Sequence, residues 1–202
     1  MHIAIIGTGG IGGPLGASLL KAGINVTLVA RGAHLTAMRE NGLHVKGDRG
    51  ENLVRPVQVT DNLGDIGTVD FALVCVKSWD VEPVGRGIRA IVGPQTAVIP
   101  LQNGVDAAQR LIPILGHAPV MGGVAFVTGT IIAPGVIQQT GTHQRLIMIS
   151  ATTASLGTAD RRRSIASGGT APIPAVRWSL SNRLRSPLSG PAPSSPYSTA
   201  AS

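Results

Sequence analysis

Six residues near the start of the chain, Gly7-Thr8-Gly9-Gly10-Ile11-Gly12, carry the spacing G-x-G-x-x-G. Glycines so placed let a chain turn sharply, bring its backbone against a diphosphate, and let the next helix lie close to the preceding strand. The unpaired N–H groups at the start of that helix then face the anion. In a chain with 27 glycines the pattern alone carries little weight. Its setting carries more: an apolar run at residues 2–6 precedes it, Ile11, Leu15, Leu19 and Leu20 follow at helical spacing, and a second apolar run ends at Val29. That is the strand–loop–helix–strand order of a dinucleotide-binding unit. The competing reading is a tight strand–helix turn that binds nothing.

The end of the second strand selects the dinucleotide. An acidic side chain there holds a ribose 2′-hydroxyl, but the sequence reads Leu28-Val29-Ala30-Arg31, with no acid. Arg31 stands where a 2′-phosphate sits, and a guanidinium grips phosphate with two parallel hydrogen bonds. The pattern points to NADPH over NADH; the alternative is a solvated surface arginine. Lys77 and Asn103 each follow the carboxyl end of an expected parallel strand, the edge at which open α/β sheets bind ligands. An ammonium there holds an anionic substrate or a cofactor phosphate, and an amide bonds both a carbonyl and the nicotinamide ribose. Plainer readings stand beside both: Lys77 as a solvated strand-end lysine, and Asn103-Gly104 as a left-handed turn. Trp79 is expected to pack a helix start and His143 to lie in a hairpin turn. Cys75 is the single cysteine and sits in an apolar run, so it reads as a buried, inert thiol with no disulfide partner and no metal knuckle.

The elements that must position these residues alternate. Strands are expected at residues 2–6, 26–29, 69–76 and 96–101, with weaker ones at 43–46 and 54–59. Helices are expected at 11–22, 33–41, 79–91 and 105–115, and further strands at 119–128, 135–139 and 145–149. This order predicts an α/β domain over residues 1–150, a doubly wound Rossmann-type parallel sheet. An antiparallel pair joined through Pro134-Gly135 is expected at one edge.

Composition bounds the rest. With 43% hydrophobic and 13% charged residues the chain reads as globular, and with 2% aromatics its core must be Val, Ile, Leu and Ala. The net charge of +7 raises nucleic acid as a partner, but residues 1–150 hold 11 Lys/Arg against 9 Asp/Glu. The excess lies in residues 151–202, six arginines against Asp160, without the interleaved aromatics that stack bases; no nucleic-acid partner is expected. Residues 111–144 carry no charged side chain, yet prolines and glycines interrupt them too often for a membrane span. The N-terminus lacks a basic region before its apolar run and reads as a buried strand, not a signal peptide, so a cytoplasmic location is expected. Residues 152–202 contain eleven serines and six prolines. Such a stretch buries too little surface to offset its ordering entropy, and residues 151–202 are expected to form a tail without a packed fold.

Beyond the glycine loop the residues resemble those of the ketopantoate reductase (2-dehydropantoate 2-reductase) family. The matching segments are Ile3-Ala4-Ile5-Ile6-Gly7-Thr8-Gly9-Gly10-Ile11-Gly12-Gly13, Val26-Thr27-Leu28-Val29-Ala30-Arg31-Gly32, Val76-Lys77-Ser78-Trp79-Asp80 and Leu101-Gln102-Asn103-Gly104-Val105. Gly122-Gly123-Val124-Ala125-Phe126 and Pro134-Gly135-Val136 extend the match through about residue 150. The resemblance implies NADPH-dependent reduction of a small 2-oxo acid to a 2-hydroxy acid in pantothenate biosynthesis. It places Lys77 and Asn103 among the cofactor and substrate contacts.

The resemblance also implies a second, all-helical domain that closes over the substrate and supplies a catalytic lysine and an acidic residue. The lysines here are Lys21, Lys46 and Lys77, and no Asp or Glu follows Asp160. The family's lysine therefore has no match, and no catalytic residue is assigned. Arg177-Trp178-Ser179-Leu180-Ser181-Asn182 resembles the linking helix only weakly. An Arg/Ser/Pro-rich ending in place of a helical domain is what an out-of-frame translation gives, and a natural truncation gives the same. The expectation is an incomplete reductase of this type. The alternatives are a non-catalytic NADP-binding module and a protein whose basic tail holds anionic surfaces.

Overall fold

The computed structural model describes residues 1–48 and 50–149. The expected boundary at residue 150 and the tail over 151–202, including residues 177–182, lie outside the described residues. In chain order the elements are β1 (His2–Ile6), α1 (Gly12–Lys21), β2 (Asn25–Val29), α2 (Gly32–Asn41), β3 (Leu43–Gly47) and β4 (Gly50–Val54). Then come β5 (Gln58–Thr60), β6 (Val69–Val74), α3 (Val81–Gly87), β7 (Val92–Pro100), α4 (Ala107–Leu115), β8 (Gly122–Ala133) and β9 (Val136–Ile149).

A strand covered on both faces must be apolar where it is buried, and β1 is so from Ile3 to Ile6. Its Ile3 and Ile5 pack with Leu15 and Ala17 of α1 and with Val26 and Leu28 of β2. Its Ala4 and Ile6 pack on the opposite face with Val74, with Val81 of α3 and with Ala107 and Leu111 of α4. Pro14 is tolerated in α1 because it falls in the first turn, where its missing N–H has no helical acceptor. The helix expected over 79–91 is present in three pieces: 3₁₀ turns at Ser78–Asp80 and Ile88–Ile91 flank α3.

The first sheet has the order β5-β2-β1-β6-β7, and every neighbouring pair is parallel. The chain moves from β1 to one side through β2 and β5, then returns to the other side for β6 and β7. This is the expected doubly wound Rossmann-type sheet, with its topological switch point at the carboxyl end of β1.

A second sheet has the order β4-β3-β9-β8. The antiparallel pair expected through Pro134-Gly135 is present as β8 and β9, but it belongs to this second sheet rather than to an edge of the first. Residues 119–121 touch β7 through the single bridge Val98–Val120 before the chain swings away. The physical reason is cover: α1 alone leaves part of one face of the first sheet bare, and Leu43, Val45 and Ile137 of the second sheet close it. The strand expected over 54–59 is divided at Pro56, whose missing N–H ends a ladder; β4 joins the second sheet and β5 the edge of the first. The strands expected at 135–139 and 145–149 are one strand, so the backbone of His143 lies within β9 and not in a hairpin turn. Among the described residues no helix is long and apolar enough to cross a membrane.

Candidate functional site

The glycine loop leaves the carboxyl end of β1 with Gly7 at φ +98°. A Cβ there would lie 2.9 Å from Val76 Cγ1 and 3.0 Å from the Val76 nitrogen, so the turn is sterically closed to other residues. The N–H groups of Gly7 and Thr8 both donate to the Val29 carbonyl at 3.1 Å, and so does the buried Thr8 hydroxyl at 3.1 Å. The loop is thus tied to the end of β2, two residues before Arg31. A Cβ on Gly12 would run into the Gly7 carbonyl oxygen and lie 2.8 Å from Ile5 Cγ2, which is the close helix–strand approach expected of that glycine. Gly10 has a role the motif did not reveal: a Cβ on it would strike the Gly129 carbonyl of β8. Gly9 differs from all of these, because among the described residues a Cβ there meets nothing within 4 Å. Ile11 opens α1, which has no side-chain cap and no acidic residue in its first turn. An uncapped helix start beside open backbone suits an anion, through its free N–H groups and the helix dipole.

Arg31, Lys77 and Asn103 stand along the same edge of the sheet. Arg31 begins α2 in extended conformation, and its side chain is 86% exposed with Nη2 3.4 Å from Asp80 Oδ2. Lys77 opens the 3₁₀ turn after β6 and is exposed; among the described residues it has no acidic partner within 4 Å. Val74 of β6 is paired with Pro100 of β7, so Lys77 and Asn103 each lie three residues beyond a matched pair. Asn103 is exposed, and Gly104 beside it has φ +98°, so the left-handed turn is real and sits at a strand's carboxyl end. Trp79 does not pack a helix start as expected; on the turn into α3 it is 72% exposed.

Three residues that sequence reasoning passed over hold these loops. The Gln102 amide donates to the Val74 and Val76 carbonyls at 2.9 and 3.0 Å, clipping the loop of Asn103 to the loop of Lys77. Its Oε1 is buried and has no hydrogen-bond partner among the described residues. Arg110 of α4 donates to both Glu82 oxygens at 2.6 Å and to Ser78 Oγ and O at 2.8 and 2.7 Å, fixing the residue next to Lys77. The Arg110 guanidinium, and then the backbone N–H of Glu82 itself, hold the Glu82 carboxyl well below its usual range, at about 2. His34 of α2 lies 2.8 Å from the Thr8 carbonyl through Nε2. Its only sequence signal was its place one helical turn from Arg31. Cys75 is half-buried rather than fully buried as expected, packed against the core beneath the loop; desolvation pushes its thiol up to about 12, in keeping with an inert group.

Comparison with known proteins adds a lineage to this geometry. A family described as ketopantoate reductase PanE/ApbA matches residues 3–151. A 2-dehydropantoate 2-reductase of Mesorhizobium japonicum is 31% identical over 159 residues, covering 68% of this chain and 48% of the relative. One from Pyrococcus abyssi is 32% identical over 141 residues, covering 70% of this chain and 45% of the relative. The crystal structure of 2-dehydropantoate 2-reductase from Porphyromonas gingivalis superposes with a TM-score of 0.71 at 35% identity, covering 81% of this chain and 59% of that one. The chain spans about half the length of the curated relatives it matches. It belongs to the ketopantoate reductase PanE/ApbA family.

Proposed function

We infer that residues 1–150 form an NADPH-binding unit, and that the chain is by lineage a cytoplasmic reductase of the 2-dehydropantoate 2-reductase type. Its substrate would be a small 2-oxo acid, reduced to the 2-hydroxy acid in pantothenate biosynthesis. The observation that carries this reading is the open space over Gly9 at the uncapped start of α1, tied through Val29 to the strand end that bears Arg31. The backbone N–H groups of Gly9, Gly10, Ile11 and Gly12 hold the diphosphate, with Gly7 and Thr8 shaping the turn. Arg31 takes the 2′-phosphate with charge-assisted hydrogen bonds. When bound, the cofactor supplies the hydride. Lys77 attracts an anionic carboxylate or phosphate, and the Asn103 amide orients the nicotinamide ribose and the substrate carbonyl.

A second reading is a module that binds NADPH without catalysis. Within the 202 residues the last lysine is Lys77, and none is assigned as the proton donor that the family resemblance implies. A positioned donor contributes about 10²–10⁴-fold in rate. Titration of the 202-residue chain with NADPH, followed by a ketopantoate-dependent oxidation assay, tests both readings. Saturable NADPH binding is expected, and its absence overturns both. Binding with turnover selects the enzyme, and binding without turnover selects the module.

A further inference from the structure

The His34 ring joins two segments far apart in sequence. Nε2 lies 2.8 Å from the Thr8 carbonyl oxygen, and Nδ1 accepts from the Gly135 N–H at 2.9 Å, across 101 residues. Gly135 cannot accept through its N–H, and the Thr8 carbonyl cannot donate. The network therefore requires the neutral ring with its proton on Nε2. The turn that His34 grips is itself anchored, because the Gly135 carbonyl accepts from the His44 N–H at 2.9 Å.

Thr8 C=O and Gly9 N–H belong to one planar trans peptide and point in opposite directions. Holding the carbonyl toward α2 therefore aims the Gly9 N–H the other way, and Gly9 is the loop residue with open space around it. We propose that His34 is the positioning residue of the diphosphate cradle: it sets the plane of the Thr8–Gly9 peptide and links it to the β8–β9 turn. The proposal rests on the NADPH reading above and adds the device that orients its loop.

Two conservative variants divide the ring's roles. In His34→Gln the amide nitrogen replaces Nε2 and still donates to Thr8. In His34→Asn the amide oxygen replaces Nδ1 and still accepts from Gly135, but the tie to Thr8 is lost. The NADPH dissociation constant of the full chain, followed by cofactor fluorescence, is expected to stay within about 2-fold of the parent for His34→Gln. For His34→Asn and His34→Leu it is expected to weaken about 3- to 10-fold, the effect of one hydrogen bond. Melting temperatures, measured in parallel, should not follow that order. Equal affinity in His34→Leu and the parent overturns the proposal, as does equal weakening of His34→Gln and His34→Asn. Failure of the parent chain to bind NADPH overturns the functional reading itself and this proposal with it.

Discussion

Arg31 and Asp80 meet across the carboxyl end of β1, with Nη2 3.4 Å from Oδ2. Arg31 follows β2 and Asp80 follows β6, strands that flank β1 on opposite sides. The pair therefore spans the edge where the glycine loop leaves the sheet. With its side chain 86% exposed, Arg31 is held weakly, as long surface ion pairs are, and an incoming anion competes with Asp80 for it.

NADPH is expected to bind more tightly than NADH by about 1–2 kcal/mol, the lower part of the range for a charged hydrogen bond because Arg31 is exposed. Arg31→Ala should erase the difference. Asp80→Asn should enlarge it, by freeing the guanidinium and removing a negative charge near the 2′-phosphate. Fluorescence titration with both cofactors measures all three, and equal affinities in the parent chain would refute the assignment of Arg31.

Gly9→Val and Gly12→Val should fail in different ways. The first places a side chain in open space, so the melting temperature should hold while NADPH binding is lost. The second drives a side chain into the Gly7 carbonyl and Ile5, so stability should fall by about 1–3 kcal/mol or more, as overpacked cores do. Thermal melts beside binding titrations separate the two outcomes.

Acid should loosen the joint between the Lys77 loop and α4. The Glu82 carboxyl is held at about 2 in the fold, against about 4.3 for a free glutamate. The unfolded chain therefore takes up this proton first as pH falls. The Glu82 contribution is complete above about pH 4.5 and is lost between there and about pH 2. Arg110→Met should flatten this part of the stability–pH curve. An unchanged acid slope in that variant would show that the clamp is not the source.

The raised Cys75 thiol should make the native chain inert to iodoacetamide at pH 8, with alkylation appearing only in denaturant. Mass spectrometry reads the adduct directly, and rapid labelling of the native chain would contradict the packing beneath the loop.

What the sequence disclosed, and what it hid, follows from the range of the interactions. Strands β1, β2 and β6 were legible because burial on both faces writes a nearly continuous apolar run, as in Ile3–Ile6 and Phe71–Val74. Lys77 and Asn103 were legible as candidates because each sits a fixed step beyond such a run. The second sheet was not, since β4 reads Gly50-Glu51-Asn52-Leu53-Val54 and its partnership depends on which face of the first sheet α1 leaves uncovered. His34 had no local pattern to betray it, because one of its bonds reaches a backbone group 101 residues away. Arg110 showed only Asp106, four residues before it, while its shorter bonds go to Glu82, 28 residues away. Gln102 was quoted as a neighbour of Asn103, but its clip to Val74 and Val76 needs the register of two adjacent strands.

The contact of β8 with the glycine loop also sets a timetable for synthesis. A ribosome that has released the chain through β7 has already delivered the whole of Gly7-Thr8-Gly9-Gly10-Ile11-Gly12, together with Arg31 and Lys77. Yet Gly10 still lacks Gly129, and His34 still lacks Gly135. Contacts so distant along the chain carry a large loop-closure cost and form late. The nascent chain therefore displays every letter of its fingerprint well before the hairpin arrives to pack against the loop, and on the NADPH reading proposed above the finished cradle is among the last parts of this domain to form.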